Sequence, residues 1–275
     1  MVNPHQPNEW PKKEHQLKRG GGRRAPIPLG FATADTIERA TISTGIDVLD
    51  DLLGGGLEFN QMYLVYGDEI MYEDIQTIIV RVQLGPQEGG CGSPTIIVDS
   101  ANMLNLDHIA DCALQLNLEP EQVMNRIYVT RAFNSSQTYD LIVNQLDRML
   151  QSVPQARLLV VSGLPNLYVK EGMTNEGARQ ISYMAAILKA LTLRERIITI
   201  VTAPPSQRNP QLPAGGRTLA TQAQIHVNVM AGRGYVRYTL TKHPALPVRS
   251  VSRSTALPRD GTLPLSFFLS DMSRP

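Results

Sequence analysis

Cysteine is scarce. Cys91 and Cys112 are the chain's two, and they supply neither a disulfide framework nor a metal-binding spacing. They read as small, buried, reduced thiols. Net charge is nearly absent as well. The formal value is +1, so no whole-molecule field draws the chain to nucleic acid or membrane, and any such attraction must come from a local patch. No apolar run approaches the roughly 18 residues of a spanning helix. The N-terminus is polar and proline-rich, without the apolar segment of a secretory signal. Histidines are few and no nucleophile elbow accompanies them, which disfavours a serine hydrolase. These absences leave a cytoplasmic protein as the expectation. What is present is an ordinary globular content, 42% hydrophobic over 275 residues, enough for one large α/β domain with extensions or for two small domains.

Residues 1–30 read as a disordered basic tail. Lys12, Lys13, Lys18, Arg19, Arg23 and Arg24 surround Gly20-Gly21-Gly22, and the segment is too polar to offset its ordering entropy by burial. It is either a solvated solubility tail or a nucleic-acid-binding arm. Residues 31–40 form a linker. From 41 to 247 short β-rich runs alternate with segments of helical spacing. Met62–Tyr66, Thr95–Val98, Arg126–Val129, Arg157–Val161 and Ile197–Val201 read as strands, and 74–84, 106–116, 138–150 and 177–193 as helices. Strands separated by helices imply βαβ units and a doubly wound, mainly parallel sheet. The runs 224–230 and 235–241 flank Ala231-Gly232-Arg233-Gly234, a C-terminal β-hairpin signal. Residues 248–275 read as a Ser/Arg/Pro-rich tail.

Several stretches, in order, resemble the ATPase core of the RecA/RadA recombinase superfamily, with archaeal RadA as the nearest likeness. They include Ile42–Gly45, Leu49–Leu57, Tyr66-Gly67, Arg131–Asn134, Arg157–Val161, Ala178–Gln180, Gly215-Gly216 and His243-Pro244. The resemblance covers about residues 29–247 and implies a RecA-like fold of the phosphate-loop NTPase type. The family's N-terminal helical DNA-binding domain is expected to be missing, since only the tail precedes Phe31.

The same resemblance shows what is missing. A phosphate loop needs glycines whose backbone N–H groups face the phosphates, a Lys to neutralise them, and a hydroxyl for Mg²⁺. Counted from Gly67, the second glycine has become Tyr72, the Lys has become Glu73, and the Ser/Thr has become Asp74. A charge pair about 4 Å apart is worth ~4 kcal/mol near a protein surface, so Lys to Glu turns that attraction into a comparable repulsion. Ala101 stands where the family places a water-orienting carboxylate, and Ser162 where it places an Asp of the Mg²⁺ shell. Three separate losses imply a pseudo-ATPase with no cofactor, where the intact family uses ATP and Mg²⁺. Glu73 and Asp74 could serve the helix N-terminus as an internal anion, or could be surface acids.

Other family features remain. Phe31-Ala-Thr-Ala34 resembles the F-x-x-A oligomerisation motif. Its acceptor pocket maps onto Thr130, Ala132, Val143 and Leu150, with Asp147 where a small apolar residue is usual. The first DNA-binding loop maps near 170–175 with Lys170 as its cation. The second maps near 204–216, with Arg208 inside it and Arg217 following. The leading expectation is a non-catalytic paralogue acting in DNA recombination or repair through a recombinase partner or its own copies, and through single-stranded DNA. A scaffold of the same fold without DNA contact is the alternative. An ATPase rearranged around Asp68, Glu69, Glu73, Asp74 or Asp99 is the third, disfavoured because acids alone repel triphosphate.

Overall fold

The computed structural model describes residues 40–255. The basic tail, the F-x-x-A segment and residues 256–275 lie outside the described residues. The described chain opens with β1 (Thr41–Ile42), α1 (Asp47–Leu53) and β2 (Leu57–Glu58), with β1 and β2 paired antiparallel. Asp50 ties this entry together, accepting from the Ser43 hydroxyl (2.6 Å) and from the Thr44 N–H and hydroxyl (2.7 Å each).

The alternating section follows as β3 (Met62–Gly67), α2 (Met71–Arg81), β4 (Thr95–Asp99), α3 (Leu106–Gln115), α4 (Pro120–Met124) and β5 (Ile127–Arg131). Next comes one helical run, α5 (Ser135–Asp140) and α6 (Leu146–Ser152), joined by a π-helical stretch at Leu141–Gln145. Then come β6 (Leu158–Ser162), α7 (Asn166–Lys170), α8 (Asn175–Glu195), β7 (Ile198–Ala203), α9 (Gly216–Gln222), β8 (Ile225–Gly232), β9 (Tyr235–Lys242) and β10 (Arg249–Ser254).

Eight strands form one sheet in the order β10-β9-β8-β3-β7-β6-β4-β5. From β8 to β5 the neighbours run parallel, and β9 and β10 add antiparallel strands at the other edge. The central strands are apolar without alternation because helices cover both faces. Every residue of β4, β6 and β7 is buried. One core lies under α5 to α9, built on Leu64, Tyr66, Val161, Leu188 and Leu219. The opposite core packs α1 and α2 against Tyr63, Val160, Ile200, Val227 and Tyr238.

The sheet runs past the boundary at 247. Residues 249–254, read as tail, are strand β10, in register from Arg249 opposite Leu240 to Ser254 opposite Tyr235. Their polar character misled the reading. An edge strand with one solvated face can carry Ser and Arg, provided its backbone pairs. The hairpin falls where the glycines place it: β8 and β9 meet across Arg233-Gly234, and Gly234 takes a φ of 82°.

Candidate functional site

The segment after β3 sits at the C-terminal end of the parallel strands, where α/β sheets bind ligands. Gly67 ends the strand with a φ of 129°, and a Cβ there would lie 1.9 Å from the Val229 carbonyl oxygen. The neighbouring strand therefore dictates glycine at this position. Most of the backbone N–H groups that follow are turned inward. Asp68 donates to the Val229 carbonyl (3.0 Å), Met71 to Asp68 (3.1 Å), Tyr72 to Glu69 (2.9 Å), and Glu73 and Asp74 both to Ile70 (3.2 and 3.4 Å). A phosphate cradle leaves such groups free to face its anion. Here the helical turn starts early and uses them.

The three side chains go to three different places. Tyr72 reaches across the strand ends toward Thr202 and Asn166. Burial raises its pKa most, those two contacts oppose the shift, and nearby Glu69 and Asp99 add to it. Glu73 is exposed. Asp74 is 5% exposed, and its carboxylate accepts from the Tyr238 hydroxyl (2.8 Å) and from the Arg253 guanidinium (2.7 Å). Asp74 is thus neither a surface acid nor a helix cap: it joins α2 to β9 and β10. Burial is the largest influence on it and raises its pKa, against the pull of Arg253 and Tyr238.

Asp99, 1% exposed, closes β4 beside β6. Its Oδ1 accepts from the Ser162 hydroxyl (2.5 Å) and from the Ala101 and Met103 N–H groups (3.3 and 3.2 Å), while Arg131 Nε stands 3.8 Å from Oδ2. Ala101 packs on Gly163, where a Cβ would come within 2.7 Å of its methyl. The structure therefore brings Tyr72, Ala101, Ser162 and Asp99 together and sends Asp74 elsewhere. Among the described residues no group of three His, Cys, Asp or Glu side chains is placed to hold a metal ion.

The remaining predicted residues are scattered. Ala132 and Leu150 are buried in the core under α5 to α9, with Val143 packed partly buried against it. The adjoining edge of β5 exposes Tyr128, Val129 and, just beyond the strand, Phe133, which is 77% exposed. Asp147, which stands where a small apolar residue is usual, is ion-paired with Arg194 and accepts from Gln151 (3.1 Å). Its charge is met at the surface.

Lys170 is exposed at the end of α7. Beside it, Glu171 binds the Ser135 N–H (2.9 Å) and hydroxyl (2.5 Å), which holds its carboxyl below the usual range. Arg208 and Arg217 line one cleft of about 660 Å³ with Val169, Met173, Leu212 and Ala178. The Tyr66 hydroxyl pins that loop by donating to the Gln211 carbonyl (3.0 Å).

Sequence reasoning missed Arg253 and Tyr238, which hold Asp74. It also missed a charge signal that counting would have found: no Asp or Glu occurs between Arg196 and Thr255, although the chain as a whole is nearly neutral. In this stretch Lys242 closes α9, donating to the carbonyls of Ala220, Thr221 and Ala223. Arg249 donates to those of Asp51 and Leu52.

A parallel sheet of this order, entered through a β1–β2 pair and extended by an antiparallel edge, with its ligand end after β3, β4 and β6, is that of a RecA-like α/β protein. The chain belongs to the Rad51 family, whose pattern it matches over residues 36–255. It is similar to the DNA repair and recombination protein RadA of Metallosphaera sedula, 29% identical over 249 residues, covering 82% of this chain and 74% of that protein.

Proposed function

We propose that this chain is a non-catalytic paralogue of the RecA/RadA recombinases, an accessory in DNA recombination or repair that binds a recombinase partner and single-stranded DNA. The observation that carries this reading is the segment after β3. It offers Tyr72, Glu73 and Asp74 where the family offers Gly, Lys and a hydroxyl, and the N–H groups of Asp68, Met71, Tyr72, Glu73 and Asp74 are already engaged with backbone carbonyls. Family membership and a similar protein named for repair and recombination support the process.

The exposed edge at Tyr128, Val129 and Phe133 supports a docking role, since aromatic side chains are enriched where partners bind. Arg208 and Arg217 on one cleft support contact with a polyanion. Titration calorimetry with Mg-ATP at millimolar concentration should show no heat of binding. A micromolar affinity would overturn the reading. In sedimentation with a RadA-type recombinase, Phe31→Ala should lose co-migration, since one buried Phe is worth ~1.5–3 kcal/mol.

A further inference from the structure

The acid-free stretch has a geometry. Side chains of β9 alternate between the two faces of the sheet. Val236, Tyr238 and Leu240 enter the core beneath α1 and α2. Tyr235, Arg237, Thr239 and Thr241 point to the face that carries α8 and α9. In register beside them on β10 stand Ser254, Ser252 and Ser250. The adjoining β8 residue on this face is Met230, 50% exposed. Over β9 and β10 this face is open: Tyr235, Arg237, Ser250, Ser252 and Ser254 are all exposed.

Arg237 stacks over the Tyr235 ring, 5.6 Å from its centroid, and that ring lies across Gly232, where a Cβ would come within 2.2 Å. The Thr239 and Ser250 hydroxyls meet at 2.9 Å. Arg233 sits exposed in the adjoining turn. Among the described residues neither Arg233 nor Arg237 is paired with a carboxylate, whereas Arg253, on the other face, is. Asp68 accepts from the Ala231 N–H at the end of β8 (2.6 Å). That acid belongs to the segment after β3.

We infer that the open face of β8 to β10 is a second contact surface for single-stranded nucleic acid, besides the cleft of Arg208 and Arg217. Arg233, Arg237 and the serine row meet phosphates, and Tyr235 offers a ring for a base. The inference rests on the DNA-contact part of the proposed function. Cations interleaved with an aromatic ring and hydroxyls suit a flexible strand, because stacking tolerates any base and the guanidinium groups follow the backbone. An acidic polypeptide would use the cations and leave the ring idle.

The test is fluorescence anisotropy of the full chain with a labelled oligo-dT of roughly thirty nucleotides, long enough to span several contact sites, over a salt series. The paired change Arg233→Ala and Arg237→Ala should weaken binding about tenfold at low salt and flatten the log–log salt slope by about 1.4, from roughly 0.7 per lost contact. Tyr235→Leu should weaken binding about fivefold or more with the slope unchanged, as loss of one stacked base does. All three residues are exposed, so thermal melting checks that the variants remain folded.

Wild-type affinity and slope in the arginine pair, with a clear loss in Arg208→Ala plus Arg217→Ala, would overturn this inference and leave the proposed function standing. A neutral Tyr235→Leu together with displacement of the oligonucleotide by poly-glutamate would overturn it in favour of an acidic protein partner. No binding of oligo-dT by the wild type would sink both.

Discussion

The segments that follow β3 and β7 leave the same end of the same sheet and have opposite characters. After β3, backbone N–H groups donate to nearby carbonyls, Tyr72 reaches over the strand ends and Asp74 is drawn into a buried ion pair. After β7, the chain lines an open cleft whose cations, Arg208 and Arg217, are exposed and unpaired among the described residues. Both loops hydrogen-bond much of their backbone internally, but the first also pairs its buried acid, while the second leaves two guanidinium groups without a carboxylate among the described residues. The difference teaches where to look for a ligand. Polar groups already hydrogen-bonded within the fold gain little from a new partner, while solvated, like-charged ones gain from a counter-charge.

The comparison can be broken at the closed region first. Gly67→Ala should be the most damaging change, costing about 4 kcal/mol or more or abolishing folding, since the added methyl has no place beside Val229. Near-wild-type urea unfolding of that variant would show that the segment is looser than described.

Next comes acid. His226, on β8, is held at a pKa of about 4 by burial, helped by the charge of Lys242. An unfolded His takes up its proton near 6.5, so the folded state should lose stability as pH falls from about 6.5 to about 4, by ~3 kcal/mol in all. Asp74 works in the opposite sense. Its raised pKa means that protonation favours the folded state, offsetting part of that loss between its unfolded value near 3.8 and its folded one. His226→Gln should remove the loss above pH 4, as read by urea unfolding at stepped pH.

Third, Asp74→Ala should cost about 2–3 kcal/mol, below the usual 3–5 for a broken buried pair because the Arg253 side chain stays 30% exposed. Asp74→Asn should cost less, since it keeps an acceptor for Tyr238 and relieves the burial of charge. The smallest effect on stability belongs to the open region. Arg208→Ala with Arg217→Ala should unfold within about 0.5 kcal/mol of wild type, the usual range for exposed positions, yet bind oligo-dT more weakly. A marked loss of stability there would mean that the two regions differ less than their contacts suggest.

Much of this was legible in the residues. Continuous apolar runs such as Leu158–Val161 announced buried parallel strands, and Arg233-Gly234 announced a hairpin. The resemblance set Tyr72, Glu73 and Asp74 at the phosphate-loop positions, which is the basis of the proposed function. What the residues hid was pairing at a distance. Nothing in Tyr72-Glu73-Asp74 says that one acid faces water and the next faces Arg253, because that depends on α2's rotation against a strand 179 positions away. Arg249–Ser254 lacks the apolar alternation that marks a half-buried strand, so only its partner β9 reveals it. The Asp147 pairing was hidden for the same reason, its partner Arg194 lying on α8.

The bond between Asp74 and Arg253 also acts as a ratchet. Position 74 is where a nucleotide-binding loop needs a hydroxyl, so placing Thr there would remove the acid that Arg253 and Tyr238 hold. The triple change Tyr72→Gly, Glu73→Lys and Asp74→Thr would therefore loosen β10 while leaving Ala101 and Ser162 as they are. Any route to Gly, Lys and Thr at these positions would pass through a less stable protein. Compensation at position 253 would have to come first or together with the loop.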